Sequence, residues 1–324
     1  MATSKLIGEA LLIRDIVLKR YLPQDKAIWD TFVAGAKNGL FLFYRDYMDY
    51  HSDRFHDHSL TAYAEDRLIA LLPAHLRGDT LSSHDGLTFG GWITDAGMKT
   101  SCMLLLFDRL RGFMKAARIK SLIYKCVPHI YHRYPAEEDV YALCSRNAHL
   151  LSCDVSTAIN LRDPIAFASR RNRGLSKAEK SGVSVRQSTE YAAFYSMLSA
   201  LLKTKYGRTP THTLDELLLL ASRFPENIRL FAAYRNASML AGVTVYESAH
   251  VAHAQYIAST QEGRMYGALD ALFNHLIRER YANKPYFDFG TSQTEGHNIN
   301  TGLIQQKEEF GGRGIAQCVY EMVA

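Results

Sequence analysis

The sequence predicts an α/β (α+β) protein made of two consecutive copies of one unit, each a mixed central sheet flanked by helices. Two observations predict it. The order hairpin, strand, helix, strand occurs twice, offset by 172 residues from Leu68 to Leu240 and by 165 from Leu122 to Phe287. The chain has 324 residues, 47% of them apolar, too long for one typical core and ample for two. The expected division is 1–160 and 161–324. The repeat is one of pattern without residue identity, and its near-constant offset favours duplication over coincidence.

The elements follow in order. A helix is expected over Gln24–Ala36, stopped near Asn38-Gly39, then a strand over Phe41–Tyr47. Ser59–Ala64 and Arg67–His75 form a hairpin around Glu65-Asp66. Leu81–Ile93 is Gly-rich and irregular. Lys99–Arg118 is an amphipathic helix with Met103, Leu106, Leu110, Phe113 and Met114 on one face, and Ser121–Cys126 is a strand ended by Pro128. A helical insert follows: a basic helix over Pro164–Ser181, a strand over Val183–Gln187, and helices over Glu190–Lys205 and Leu214–Arg223. Thr213 and Glu216 have the spacing of a capping box for the last of these. The second copy then begins with the hairpin Ile228–Tyr234 and Met239–Glu247 and the strand His250–Ser259. The loop Gln261–Gly267, a helix over Tyr266–Tyr281 and the strand Pro285–Gly290 complete it.

Composition excludes several classes. The apolar run Leu214–Ala221 is far short of the roughly 20 residues of a membrane helix. Met1–Arg20 mixes charge with apolar residues and lacks a continuous apolar core, so no signal peptide is expected and the cytoplasm is the expected location. The cysteines (Cys102, Cys126, Cys144, Cys153, Cys318) are scattered and unpaired in pattern, which argues against a disulfide framework or structural zinc and favours buried thiols. A net charge of +5 suits an anionic small ligand better than nucleic acid, which needs a denser basic stripe. The one local basic cluster is Arg170, Arg171, Arg173, Lys177 and Lys180.

Three stretches, in order, resemble the FemABX-like branch of the GNAT acyltransferases. They are Arg170-Arg-Asn-Arg-Gly-Leu-Ser-Lys-Ala-Glu-Lys-Ser-Gly-Val183, Tyr286-Phe-Asp-Phe-Gly290, and Asn300-Thr-Gly-Leu-Ile-Gln-Gln-Lys-Glu-Glu-Phe-Gly-Gly312. The resemblance covers the second half by motif and the first by topology. It implies two tandem GNAT-like domains and transfer of an acyl or aminoacyl group to an amine of a cell-envelope precursor. The donor it implies is acyl-CoA or aminoacyl-tRNA. No long heptad arm accompanies the motifs, and the strand Pro285-Tyr-Phe-Asp-Phe-Gly290 resembles the version in sugar-modifying relatives; together these tilt the expectation towards acyl-CoA and a nucleotide-linked amino sugar of surface polysaccharide synthesis. A peptidoglycan-precursor ligase using aminoacyl-tRNA, gripped by the basic helix, and a non-catalytic binding module remain alternatives. Oligomeric state is left open.

Amine acylation needs a cradle for an anionic donor, a neutral amine and a stabilised oxyanion. The strand-to-helix junction Gln261-Glu-Gly-Arg-Met-Tyr-Gly-Ala268 matches the first half of the family's phosphate loop through Gly263, Arg264 and Gly267. Leu269 stands where a small residue belongs, so an ordinary turn is an equal reading. His253 and Gln255 share one face of their strand and Tyr256 the other. His253 is a candidate base, since histidine is the side chain suited to proton exchange near neutral pH; a core histidine is the competing reading. Asp288, between two aromatics, needs a partner or a ligand. The resemblance implies that Lys307 faces the transferred group, against the alternative of a surface lysine beside Glu308.

In the first half, Tyr50-His-Ser-Asp-Arg-Phe-His-Asp-His58 suggests metal, but its spacing fits no ligand pattern and no metal is expected. Asp53 and Arg54 are read as acceptor contacts, together with His84, Asp85 and Trp92 of the Gly-rich run. Lys203 and Tyr206 flank a turn that could line the cleft.

Overall fold

The computed structural model describes residues 15–293 and 298–324; the leader reading of the first fourteen residues lies outside them. The first half runs β1 (Ile16–Arg20), α1 (Lys26–Gly35), α2 (Arg45–Met48), β2 (Leu60–Ala64), β3 (Arg67–Leu72), β4 (His75–Arg77), β5 (Thr80–Ser82), β6 (Ile93–Thr94), α3 (Thr100–Ala116), β7 (Ser121–Lys125), α4 (Glu138–Ser145) and β8 (His149–Asn160). The second runs α5 (Ser169–Lys180), β9 (Ser184–Ser188), α6 (Tyr191–Tyr206), α7 (Leu214–Arg223), β10 (Ile228–Arg235), β11 (Ser238–Glu247) and β12 (Val251–Ser259). It closes with α8 (Gln261–Met265), α9 (Ala268–His275), β13 (Tyr286–Thr291), α10 (Thr301–Glu308) and β14 (Arg313–Val323).

The strands form a four-stranded sheet, β1-β2-β3-β6, and a ten-stranded sheet, β4-β5-β7-β14-β8-β13-β12-β11-β10-β9. Two of its pairings are parallel, β5 with β7 and β12 with β13. Each needs a crossover, supplied by α3 in the first half and α8–α9 in the second. These crossovers are the physical content of the repeated pattern. The halves are joined edge to edge: β14, from the second half, lies between β7 and β8 of the first.

The hairpins turn where expected. Glu65 has φ 55°, and Asn236 and Ala237 have φ 48° and 65°. On α3, Met103, Leu106, Leu110 and Met114 are buried at helical spacing. The Thr213/Glu216 capping box closes α7: Glu216 N–H donates to Thr213 Oγ1, and Thr213 N–H to the Glu216 carboxylate.

Four expectations are corrected. Phe41–Tyr47 is not a strand. Phe41–Phe43 is a 3₁₀ turn leading into α2, and Leu40–Phe43 are all buried. An apolar run without alternation fits burial on every side better than a two-faced strand. Phe41 wedges against Phe224 and Tyr246 of the second half, with ring centroids 5.6 and 5.4 Å away. Gln261–Met265 is helical, because the Thr260 hydroxyl caps it by accepting from Gly263 N–H. Only Cys102 and Cys126 are buried, while Cys144 and Cys153 are exposed and Cys318 half-buried. Trp92, read as a stacking face, is 1% exposed in the core of the first half.

Candidate functional site

The site forms where the parallel pair β12–β13 stops pairing. Its ladder ends with His253 opposite Asp288, so register alone sets an imidazole beside a carboxylate. Two irregularities border the pair. The β11–β12 ladder skips Gln255, which is a bulge residue freed from the regular pairing. On β13, Gly290 has φ 72°, and a side chain there would sit 3.1 Å from His253 Cε1; only glycine allows the turn and the ring together.

Asp288 is fully buried and satisfied on both oxygens. His253 Nδ1 lies 2.9 Å from Oδ2, which also accepts from the Tyr131 hydroxyl at 2.7 Å. Oδ1 accepts from the Ser156 hydroxyl at 2.6 Å and from Gly290 N–H at 2.8 Å. Burial pushes the carboxyl up, but His253 and these donors outweigh it and hold Asp288 down at about 2. An ionised Asp288 fixes the His253 proton on Nδ1 and leaves Nε2 as the acceptor, the arrangement of a general base with its orienting acid.

Lys307 is buried on α10. Its Nζ donates to the carbonyls of Gly290 at 2.7 Å and Thr291 at 2.8 Å. Burial pulls its ammonium down to about 8, with Asp288 opposing. Two of its donors are therefore spent on holding the end of β13, two and three residues beyond the carboxylate.

His253 and Gln255 open onto a narrow cleft walled by Phe41 and Phe89 from the first half, Tyr246 from the second, and Tyr131. The same bulge overturns the expected alternation: His253 pairs with Tyr246 and Tyr256 with Thr244, so Tyr256 shares the His253 face, and its hydroxyl bonds to His212 Nδ1 at 2.6 Å.

A second cleft, of about 510 Å³, unites Gly263, Arg264 and Gly267 with Arg170 and Lys177 of α5 and Gln305 of α10. Gly267 has φ 69°, and a side chain there would lie 2.3 Å from the Gly174 carbonyl oxygen. Asp270, in the first turn of α9, pairs with Arg171 at 2.8 Å. The N-terminus of α9 thus already faces a carboxylate and a close-packed carbonyl of its own chain. An anionic ligand would meet the side chains of Arg170, Lys177 and Arg264 rather than the bare helix end.

The first-half residues lie elsewhere. Asp53 is exposed, and Arg54 pairs with Glu216 across the halves at 2.5 Å. His84 is buried, with its ring 5.1 Å from His51 and 5.5 Å from His75, and burial pulls it down to about 2. Asp85 is held at about 2, first by the hydrogen bond with His75, and sits 3.5 Å from Lys125. Lys203 and Tyr206 are exposed at the end of α6. No cluster of metal-ligating side chains occurs among the described residues. Tyr131 and Ser156 escaped the sequence reading. They lie 157 and 132 positions from Asp288; Ser156 is brought there by the pairing of β8 with β13, and Tyr131 by the 3₁₀ turn His129–Tyr131 that follows β7.

Residues 167–297 match the acetyltransferase (GNAT) domain family. Comparison with curated protein sequences finds no relative. Among solved structures, FemX superposes with a TM-score of 0.68 at 11% identity, covering 95% of this chain and 97% of that one. The C-terminal domain of a putative lysylphosphatidylglycerol synthetase from Agrobacterium fabrum gives 0.59 at 9% identity, over 92% of each chain. A tandem GNAT protein from the clavulanic acid biosynthesis pathway gives 0.51 at 13%, covering 95% and 98%. The fold is the GNAT fold present twice. Residues 167–297 thus carry a GNAT acetyltransferase domain, and the chain over its length has the architecture of tandem GNAT proteins.

Proposed function

We propose that the chain transfers an acyl group to the amine of an amino sugar, nucleotide-linked and bound for surface polysaccharide, in the cytoplasm. The observation that carries the chemistry is the His253–Asp288 pair at the mouth of the aromatic cleft. His253 Nε2 takes the proton of the attacking amine, and Asp288 stabilises the imidazolium that results. The bulge at Gln255 releases backbone polar groups beside the reacting carbonyl, where an oxyanion needs a donor. Lys307 keeps the end of β13, and so Asp288, in place. Residues 1–160 supply the acceptor side through Phe41 and Phe89, and residues 161–324 the donor side and the base.

The domain match supports acyl-CoA as donor, its phosphates held by Arg264, Arg170 and Lys177. A second reading, an aminoacyl-tRNA donor and a peptidoglycan precursor as acceptor, is favoured by the occupied N-terminus of α9. The names of the FemX and lysylphosphatidylglycerol synthetase neighbours also support it. One experiment separates them. The protein is incubated with acetyl-CoA or with aminoacyl-tRNA, each with a panel of nucleotide-linked amino sugars and peptidoglycan precursors, and free thiol or deacylated tRNA is measured. Thiol release dependent on an amino sugar supports the first reading. Transfer from tRNA alone, with binding that weakens linearly in log salt, replaces it with the second. Failure with both donors overturns both.

A further inference from the structure

β14 carries a residue that the site does not use. Cys318 stands opposite Cys153 of β8 in the antiparallel ladder, and their sulfur atoms are 3.4 Å apart although 165 positions separate them. The backbone shows what kind of pair this is. A residue in an antiparallel strand turns its N–H and C=O to the same side, and the Cys318 carbonyl accepts from Cys126 N–H at 3.1 Å, towards β7. Cys318 therefore turns its hydrogen-bonding groups away from β8. The cysteines form a non-hydrogen-bonded pair, the closer of the two spacings, with Cα atoms about 4.5 Å apart. That lies inside the range of roughly 4.4–6.8 Å which a disulfide spans. Both thiols are free, Cys153 exposed and Cys318 half-buried. Among the other cysteines, Cys102 and Cys126 are buried, and Cys144 sits on a helix without a register partner.

We propose that Cys153 and Cys318 are a dithiol that closes reversibly to a disulfide by exchange with a low-molecular-weight disulfide, stapling β14 to β8. The Cys153 thiolate attacks one sulfur of the external disulfide and expels the first thiolate. Cys318 loses its proton to solvent and attacks the Cys153 sulfur of the mixed disulfide, expelling the second. The two cysteine sulfurs together lose two electrons, and the external disulfide gains them and leaves as two thiols. The order of attack follows from the surroundings: burial and the contact with Cys153 push the Cys318 thiol up to about 11, so the more exposed Cys153 reacts first and Cys318 resolves. The staple acts on the strand that joins the halves and follows directly on α10, which carries Lys307.

The full chain is treated with glutathione disulfide, alkylated, digested and analysed by mass spectrometry, and its amide hydrogen exchange is followed in both redox states. The expected result is a cross-linked peptide pair containing Cys153 and Cys318, released by dithiothreitol. It should be absent in Cys153→Ser and Cys318→Ala and present in Cys144→Ser. Exchange at residues 313–323 should slow by about tenfold in the oxidised form. A glutathione adduct left unresolved on Cys153, cross-links to Cys144, or unchanged exchange in the cross-linked protein would each overturn the proposal. Cys153→Ser replaces an exposed side chain, so its thermal melting curve shows whether loss of the cross-link reflects chemistry or misfolding.

Discussion

Each half buries a carboxylate against a tyrosine, and the two behave in opposite ways. In the first half, Asp139 accepts from the Tyr124 hydroxyl at 2.7 Å and from Val140 N–H at 2.8 Å. Burial dominates, and its carboxyl rises to about 6. In the second, Asp288 is at least as buried, yet His253, Tyr131, Ser156 and Gly290 hold it at about 2. Burial alone makes a carboxyl a weak acid; burial with an imidazole and three donors makes it a fixed anion. The surroundings repeat the contrast. Beyond β5 the chain fills its own crossover: Ser83 N–H donates to the Ile123 carbonyl, Lys125 N–H to Ser83 Oγ, and Gly90 N–H to the Lys125 carbonyl. Beyond the last β12–β13 pair the equivalent space is the cleft at His253. One crossover is filled, and the other has an opening with an imidazole at its rim.

The strongest test of this contrast is to neutralise each carboxylate. Asp288→Asn should lower transfer activity by about a thousandfold, the range for losing an oriented base, with the fold retained by circular dichroism. Asp139→Asn should change activity less than about threefold. Equal losses would mean that both carboxylates serve the site, and the division between the halves would fail.

Acid titration of stability comes next. Asp288 titrates lower in the folded chain than in the unfolded one. Its contribution, about 2 kcal/mol, is present above pH 4 and lost as pH falls towards 2. Asp139 titrates higher when folded, so the native state holds the extra proton between about 4 and 6. Stability there falls by about 3 kcal/mol as pH rises through that window. Denaturant midpoints across pH should show Asp139→Asn removing the second slope and Asp288→Asn the first. A wild-type slope that survives either substitution contradicts the assignment for that residue.

The smallest effect concerns the seam. The Arg54–Glu216 pair crosses between the halves but is partly exposed on both sides. Arg54→Ala should cost less than about 1 kcal/mol in denaturant melts and leave activity unchanged; a loss of acceptor affinity would return Arg54 to the substrate site.

What the sequence revealed was local. The hairpins around Glu65-Asp66 and Asn236-Ala237, the apolar stripe of α3 and the cap at Thr213 are signals within a few residues, and each is in the structure. His253, Asp288 and Lys307 were visible as chemistry out of place, a polar residue in an apolar strand or a lysine in a family-like helix. The strands β8 and β14 were not visible. They are half-exposed along much of their length, so no alternation of apolar residues marks them, and their pairing joins distant parts of the chain. Ser156 depends on that pairing, and Tyr131 sits on a short turn beyond β7 with no pattern to mark it, which is why the donors that make Asp288 an anion were missed. Phe41 misled for the opposite reason, since an apolar run at a seam between halves resembles a core strand.

The position of β14 has a consequence for biosynthesis. The first half is translated long before residues 313–323, yet its β7 and β8 pair through that strand and not with each other. While the ribosome is still reading the second half, both strands present open edges, the kind of surface that aggregates or recruits chaperones. Completion of the earlier half therefore waits on the emergence of the later one.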